Sequence, residues 1–307
     1  MRLPLATLFQ CPTVRTLAEK IEQKGGTSSW NSLVPIQPLG IKPPLFLVHG
    51  AEGNVLLYSS LAQCFGTDQP VYGLQSRGLN GGEALEASIE GVASKYLEEI
   101  QSIQPSGPYY LGGYCLGGTI AFEIAQQLKR AGESVALLAM LETYNVKSRP
   151  PASAGLTIVH KVENVYFQAR NVLLSGGGPQ FFAEKFRIEL SRFKVHCDIL
   201  WSRIAGRFGS SKRVSYQHLR IRDANHQAQA AYEPVLYDGR ITLFRSRNYY
   251  REFNDRCYGW DGLAVQGVHV VELPNYPHGS LNQPFVKVLA RALKTEIAKI
   301  LDHSIPG

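Results

Sequence analysis

Residues 109–125 read YYLGGYCLGGTIAFEIA. Tyr109 to Gly112 has the apolar character of a buried strand, and from Gly117 to Ala131 apolar positions recur at helical spacing. Between them stands Gly113-x-Cys115-x-Gly117. A reactive side chain raised on a tight strand-to-helix turn needs small residues two before and two after it, because larger ones would strike the turn. The helix behind such a turn aims backbone N–H groups and a positive dipole end at the residue on its tip. The pattern therefore predicts Cys115 as a nucleophile, with its thiol pKa lowered by the helix and with developing negative charge stabilised beside it.

The segments on either side extend the alternation. Pro44 to Val48 is a short continuous apolar run, as for a strand buried on both faces, and His49-Gly50-Ala51-Glu52-Gly53 follows as a turn. Helices are expected over 54–64 and 86–103, further strands at Val71–Leu74 and Val135–Leu141. This order predicts an α/β domain with a mostly parallel sheet covered by helices on both faces. From 146 to 230 the alternation stops and several helical segments appear, broken by SGGGP (175–179) and GRFGSSKR (206–213), so this region reads as a helical insertion. Strands return at Gly239–Phe244 and Val268–Leu273, and a last helix is expected from about Pro284 to Leu301. At the other end, Thr13 can cap a helix with Leu17, Ala18 and Ile21 on one face, and residues 25–32 read as a Gly/Ser-rich linker before a main domain over 33–307.

Composition narrows the function. The 307 residues carry a net charge of +7, and between Asn145 and Val235 Lys and Arg outnumber Asp and Glu by more than two to one. Those charges alternate with Leu, Ile, Phe and Val at helical spacing, as on solvated helix faces, and no nucleic-acid motif accompanies them. No apolar run is long enough to span a membrane, and the N-terminus lacks the form of a secretory signal. The five cysteines (Cys11, Cys64, Cys115, Cys197, Cys257) have neither Cys-x-x-Cys nor zinc spacing. An odd count of scattered thiols favours a reducing, cytoplasmic setting without a metal.

A thiol nucleophile on this turn calls for a base and an acid, in the chain order nucleophile, acid, histidine. His278, in PNYPHGSLNQP, follows the last strand and precedes the last helix, where a loop can carry a base over the C-terminal sheet edge. His269 lies within the last strand, and His160, His196, His218 and His226 fall in the insertion. Glu142, at the end of the strand Val135–Leu141, is the leading acid, with Asp255 and then Asp261 as rivals. An oxyanion hole would use the backbone N–H of Leu116 and one in the turn after the first core strand, at Ala51 or next at Glu52.

Taken together, FLVHGAEGNVLLYSSLA, QPVYGLQSRGL, GPYYLGGYCLGGTIAFEIAQQL and HGSLNQPFVKVLARAL resemble the type I thioesterase domains of non-ribosomal peptide and polyketide synthases. The resemblance runs from about Ser32 to Leu301 and is weakest in the insertion, which corresponds to that family's variable lid. It implies an α/β-hydrolase fold and release of an acyl or peptidyl chain delivered on the phosphopantetheine arm of an upstream carrier protein. LPLATLFQCPTVRTLAEKI, within residues 1–24, looks like the last helix of a carrier, without the serine motif that bears the arm, so no cofactor is expected in this chain itself. The family's usual nucleophile is Ser and its usual acid Asp, whereas the matching positions here are Cys115 and Glu142. Two other readings compete: a stand-alone Cys-dependent hydrolase of the dienelactone-hydrolase type, and a non-catalytic binding module on the same fold.

Overall fold

Side chains that alternate along each strand divide the interior into two layers, one on each face of a single sheet. The computed structural model describes residues 7–11, 13–22, 32–80, 85–148, 159, 162, 166, 217–246, 255–275 and 279–303. Its strands are β1 (Leu33–Gln37), β2 (Leu45–Val48), β3 (Val71–Leu74), β4 (Tyr109–Tyr114), β5 (Val135–Leu141), β6 (Ile241–Ser246) and β7 (Val268–Leu273). Its helices are α1 (Thr7–Gln10), α2 (Val14–Glu22), α3 (Ser59–Phe65), α4 (Ile89–Ile103), α5 (Leu116–Arg130), α6 (Gln217–Ala231) and α7 (Phe285–His303).

The sheet order is β1-β3-β2-β4-β5-β6-β7, and only the β1–β3 pairing is antiparallel. Phe46, Val48, Leu111, Leu138, Met140 and Leu243 face α4, α5 and α6. Their neighbours Leu45, Leu47, Tyr110, Leu137, Ala139 and Phe244 face α3 and α7. The period of two is why β2 reads as a continuous apolar run: both of its faces are covered. The fold is that of the α/β-hydrolases. The chain leaves β2 for β3 on one side and returns as β4 on the other, so a crevice opens at the C-terminal ends of β2 and β4.

Several expected boundaries shift. The segment after the β2 turn is a short 3-10 turn, Leu56–Tyr58, followed by α3. The strand expected at Gly239–Phe244 runs instead over Ile241–Ser246. Arg245 and Ser246 are buried there, and Arg245 donates to the Arg256 carbonyl at 2.7 Å and lies over the Tyr258 ring. Polar identity hid this strand end, because its partners, Arg256 and Tyr258, lie outside the strand. Thr13 does cap α2, accepting from the Thr16 N–H at 3.1 Å, but Ala18 and Ile21 on the helix's apolar face are exposed.

The chain divides into two compact units, one of Met1–Pro150 with His218–Gly307 and one of Pro151–Gln217. Most of the expected insertion, the linker and residues 1–6 lie outside the described residues, as do Cys197, His160, His196 and His278.

Candidate active site

Cys115 sits between β4 and α5 with φ 53 and ψ −117, a left-handed conformation that costs a non-glycine residue of order 1–3 kcal/mol. The surroundings hold it there. Its N–H donates to the Leu141 carbonyl at 2.9 Å, and its carbonyl accepts from the Gly118 N–H at 3.1 Å. The flanking glycines are required by contact: a Cβ on Gly113 would strike the Gly117 carbonyl, and one on Gly117 would strike the carbonyls of Val48 and His49. Tyr58 closes the gap between the two strands. Its buried hydroxyl donates to the Val48 carbonyl at 2.6 Å and accepts from the Tyr114 N–H at 2.9 Å. Nothing in the local sequence marked Tyr58 for this bridge.

The thiol's pKa departs from expectation. Burial pushes Cys115 up to about 11; the Leu116 N–H opposes the shift and the charge of Glu142 adds to it. The helix N-terminus therefore acts in the expected direction but is outweighed by desolvation. The thiol stays protonated at neutral pH until a base removes its proton.

Glu142 follows β5 directly, also at positive φ (46), and is fully buried. Its N–H donates to the Phe244 carbonyl at 2.8 Å, and its Oε1 accepts from Asn275 Nδ2 at 2.6 Å. Asn275 is itself fully buried and lies three residues before His278. Sequence reasoning missed Asn275, since an amide in a loop carries no catalytic signature. The rival Asp255 is engaged elsewhere: its two carboxylate oxygens accept from the N–H groups of Cys257 (2.8 Å) and Gly259 (2.6 Å) and so shape their own turn. Asp261 is exposed. The loop 255–260 also steadies the segment after Glu142, with Trp260 Nε1 donating to the Thr143 carbonyl and the Asn145 N–H donating to the Tyr258 carbonyl.

The turn after β2 lies beside this group. Val48 pairs with Gly113, so the end of β2 is in register with the approach to Cys115. Ala51 is partly exposed. Leu116 opens α5, where an N–H has no carbonyl one turn behind it to bond. His269 stays in β7, 3.6 Å from the Glu296 carboxylate, and His226 is exposed on α6. Among the described residues no cluster of His, Cys, Asp and Glu could hold a metal ion. No described helix is long and apolar enough to cross a membrane.

A thioesterase-domain family model matches residues 43–159, which include the β2 turn, the Cys115 turn and Glu142. A dimodular nonribosomal peptide synthase of Bacillus subtilis (strain 168) is 42% identical over 144 residues, 47% of this chain and 6% of that protein. Malpinin synthetase of Mortierella alpina is 41% identical over 143 residues, 46% of this chain and 2% of that one. The chain thus spans a small fraction of the relatives it matches. Among solved structures, a four-domain nonribosomal peptide synthetase bound to AMP and glycine is 26% identical, with a TM-score of 0.68 over 100% of this chain and 23% of that one. The NocB thioesterase domain, in covalent complex with a nocardicin G analogue, has a TM-score of 0.62 at 21% identity, over 87% of this chain and 99% of its own. The region carrying the turn is thus similar to the thioesterase domains of these synthetases.

Proposed function

We propose that this domain releases an acyl or peptidyl chain from the phosphopantetheine thioester of an upstream carrier domain, with Cys115 as nucleophile, His278 as base and Glu142 as the acid that orients it. The observation that carries the reading is the left-handed Cys115 on the β4–α5 turn, flanked by the β2 turn and by the buried Glu142. The bond from Asn275 to Glu142 favours the pairing, because it ties the stretch just before His278 to the acid. The multidomain synthetases that the chain resembles support a carrier as the partner.

In the first half-reaction His278 takes the Cys115 proton and the sulfur attacks the thioester carbonyl. The N–H groups of Ala51 and Leu116 hold the oxyanion. Collapse expels the pantetheine thiolate, which takes the proton back from the imidazolium. In the second half-reaction water, or a hydroxyl, amine or carbon nucleophile within the chain, gives its proton to His278 and attacks the acyl-enzyme, and Cys115 leaves as the thiol. With the thiol held near 11, the base is essential to the first step.

A cysteine exchanges one thioester for another, which is nearly neutral in free energy, where a serine would form a more stable oxoester. The acyl-enzyme stays activated, which suits release by cyclisation or condensation. Incubation with a synthetic acyl-pantetheine should add one acyl mass to the wild type and none to Cys115→Ala. Cys115→Ser should shift the products toward hydrolysis. An adduct that persists in Cys115→Ala would refute the assignment of the nucleophile. An unchanged product ratio in Cys115→Ser would refute the special role of sulfur.

A further inference from the structure

The turn after β2 is gripped from two directions by side chains that the mechanism above does not use. His49 is buried, and its Nδ1 lies 2.6 Å from the Gly50 carbonyl. That carbonyl can only accept, so Nδ1 carries the ring proton and Nε2 is the acceptor. Nε2 accepts from the hydroxyl of Tyr96 on α4 at 2.8 Å; that hydroxyl has one proton, so the Gln75 carbonyl beyond β3, 3.0 Å away, competes for it and does not extend the chain. Burial lowers the His49 pKa to about 4, so the ring remains neutral in this arrangement. On the other side, Asn225 of α6 donates from Nδ2 to the Ala51 carbonyl at 2.9 Å.

These two bonds fall on consecutive peptide planes. The Gly50 carbonyl belongs to the same unit as the Ala51 N–H, and in a trans peptide the two point in opposite directions. Holding the carbonyl therefore aims the N–H, and a donor on the carbonyl also polarises the N–H toward an acceptor. The Ala51 carbonyl belongs to the next unit. With both planes held, the two dihedrals at Ala51 are fixed. The Gly53 N–H also donates to the Gly50 carbonyl at 3.0 Å, so His49 adds to a bond within the turn, while the Asn225 side chain holds the next plane.

We propose that Asn225 and the His49–Tyr96 pair are positioning residues that fix the Ala51 N–H for oxyanion stabilisation. The inference rests on the thioesterase reading above and deepens it. An element from beyond the Pro151–Gln217 unit, more than 170 residues along the chain, thereby sets the geometry of the turn after the second strand.

Two reactions of the same sulfur separate this role from a merely structural one. Acylation by an acyl-pantetheine develops an oxyanion; alkylation by iodoacetamide, a displacement at carbon, does not. Asn225→Ala and Tyr96→Phe should each slow single-turnover acylation of Cys115 by about tenfold or more, with KM for the thioester little changed. Iodoacetamide alkylation of Cys115 and the thermal midpoint should stay near wild type in Asn225→Ala. Asn225→Asp keeps the shape and replaces the donor by an acceptor, and should be at least as slow as Asn225→Ala. Equal losses in acylation and alkylation, or wild-type acylation in all three variants, would overturn the proposal. If wild type itself forms no acyl-enzyme, the thioesterase reading fails and this inference falls with it, an outcome distinct from wild-type acylation in the three variants.

Discussion

Glu142 acts on Cys115 in two opposing senses. Its negative charge raises the thiol, while as partner of an imidazole it would stabilise the cation formed when that thiol loses its proton. Glu142→Gln separates the two. The pH midpoint for alkylation of Cys115 should move down from about 11, because a charge that disfavours the thiolate is gone. Acyl transfer should nonetheless fall, by about tenfold to a thousandfold, because the base loses its orienting acid. A midpoint that rises in Glu142→Gln would contradict the assigned electrostatics. The turn at Cys115 was legible in the sequence because its geometry is written in spacing: two glycines around a strand-to-helix junction. The place of Glu142 at a strand end was legible from the apolar run before it. The direction of the thiol's shift was not, since it depends on burial in the folded chain and on the charge of Glu142, which no local window contains. Asn275 was illegible for the same reason.

At the scale of elements, α5 is joined to α6 and to the residues just after it by polar bonds as well as apolar contacts. Gln229 Nε2 donates to Thr119 Oγ1 at 3.1 Å, the Tyr232 hydroxyl donates to Glu123 Oε2 at 2.7 Å, and Gln126 Nε2 donates to the Val235 carbonyl at 2.7 Å. Glu123 is buried on the helix that starts at Cys115, and Gln127 and Arg130 also reach its other oxygen. Tyr232→Phe should cost about 2 kcal/mol in chemical denaturation, because it strips a buried carboxylate oxygen of its donor. A cost below about 0.5 kcal/mol would mean that water or a rearranged side chain replaces the phenol. Strong periodicity made α4, α5 and α7 readable to within a few residues. β1 was not readable as a strand: LVPIQ contains Pro35 and is mostly half-buried, so it shows neither a continuous apolar run nor a clean alternation. Its place at the sheet edge explains both, since only an edge tolerates the missing N–H.

Across the whole sheet, burial grades from the centre outward. β2 and β6 are buried along their entire length and β4 along all but its last residue, whereas β1 and β7 are largely half-exposed. Native-state hydrogen exchange should therefore find the slowest amides in β2, β4 and β6 and faster ones in β1 and β7. Exchange in β1 as slow as in β4 would show that the edge is protected by something other than the sheet. The β2–β4 pairing that places Val48 opposite Gly113 has a consequence for how such a domain changes over time. The gap between the two turns is measured in strand spacings and ladder hydrogen bonds, and no loop length enters it. Chain can be added, removed or rewritten after β5 without altering that measure. Selection is then free to recast the chain after β5 while leaving the spacing of the two turns untouched, much as a gauge block keeps its dimension whatever is clamped around it.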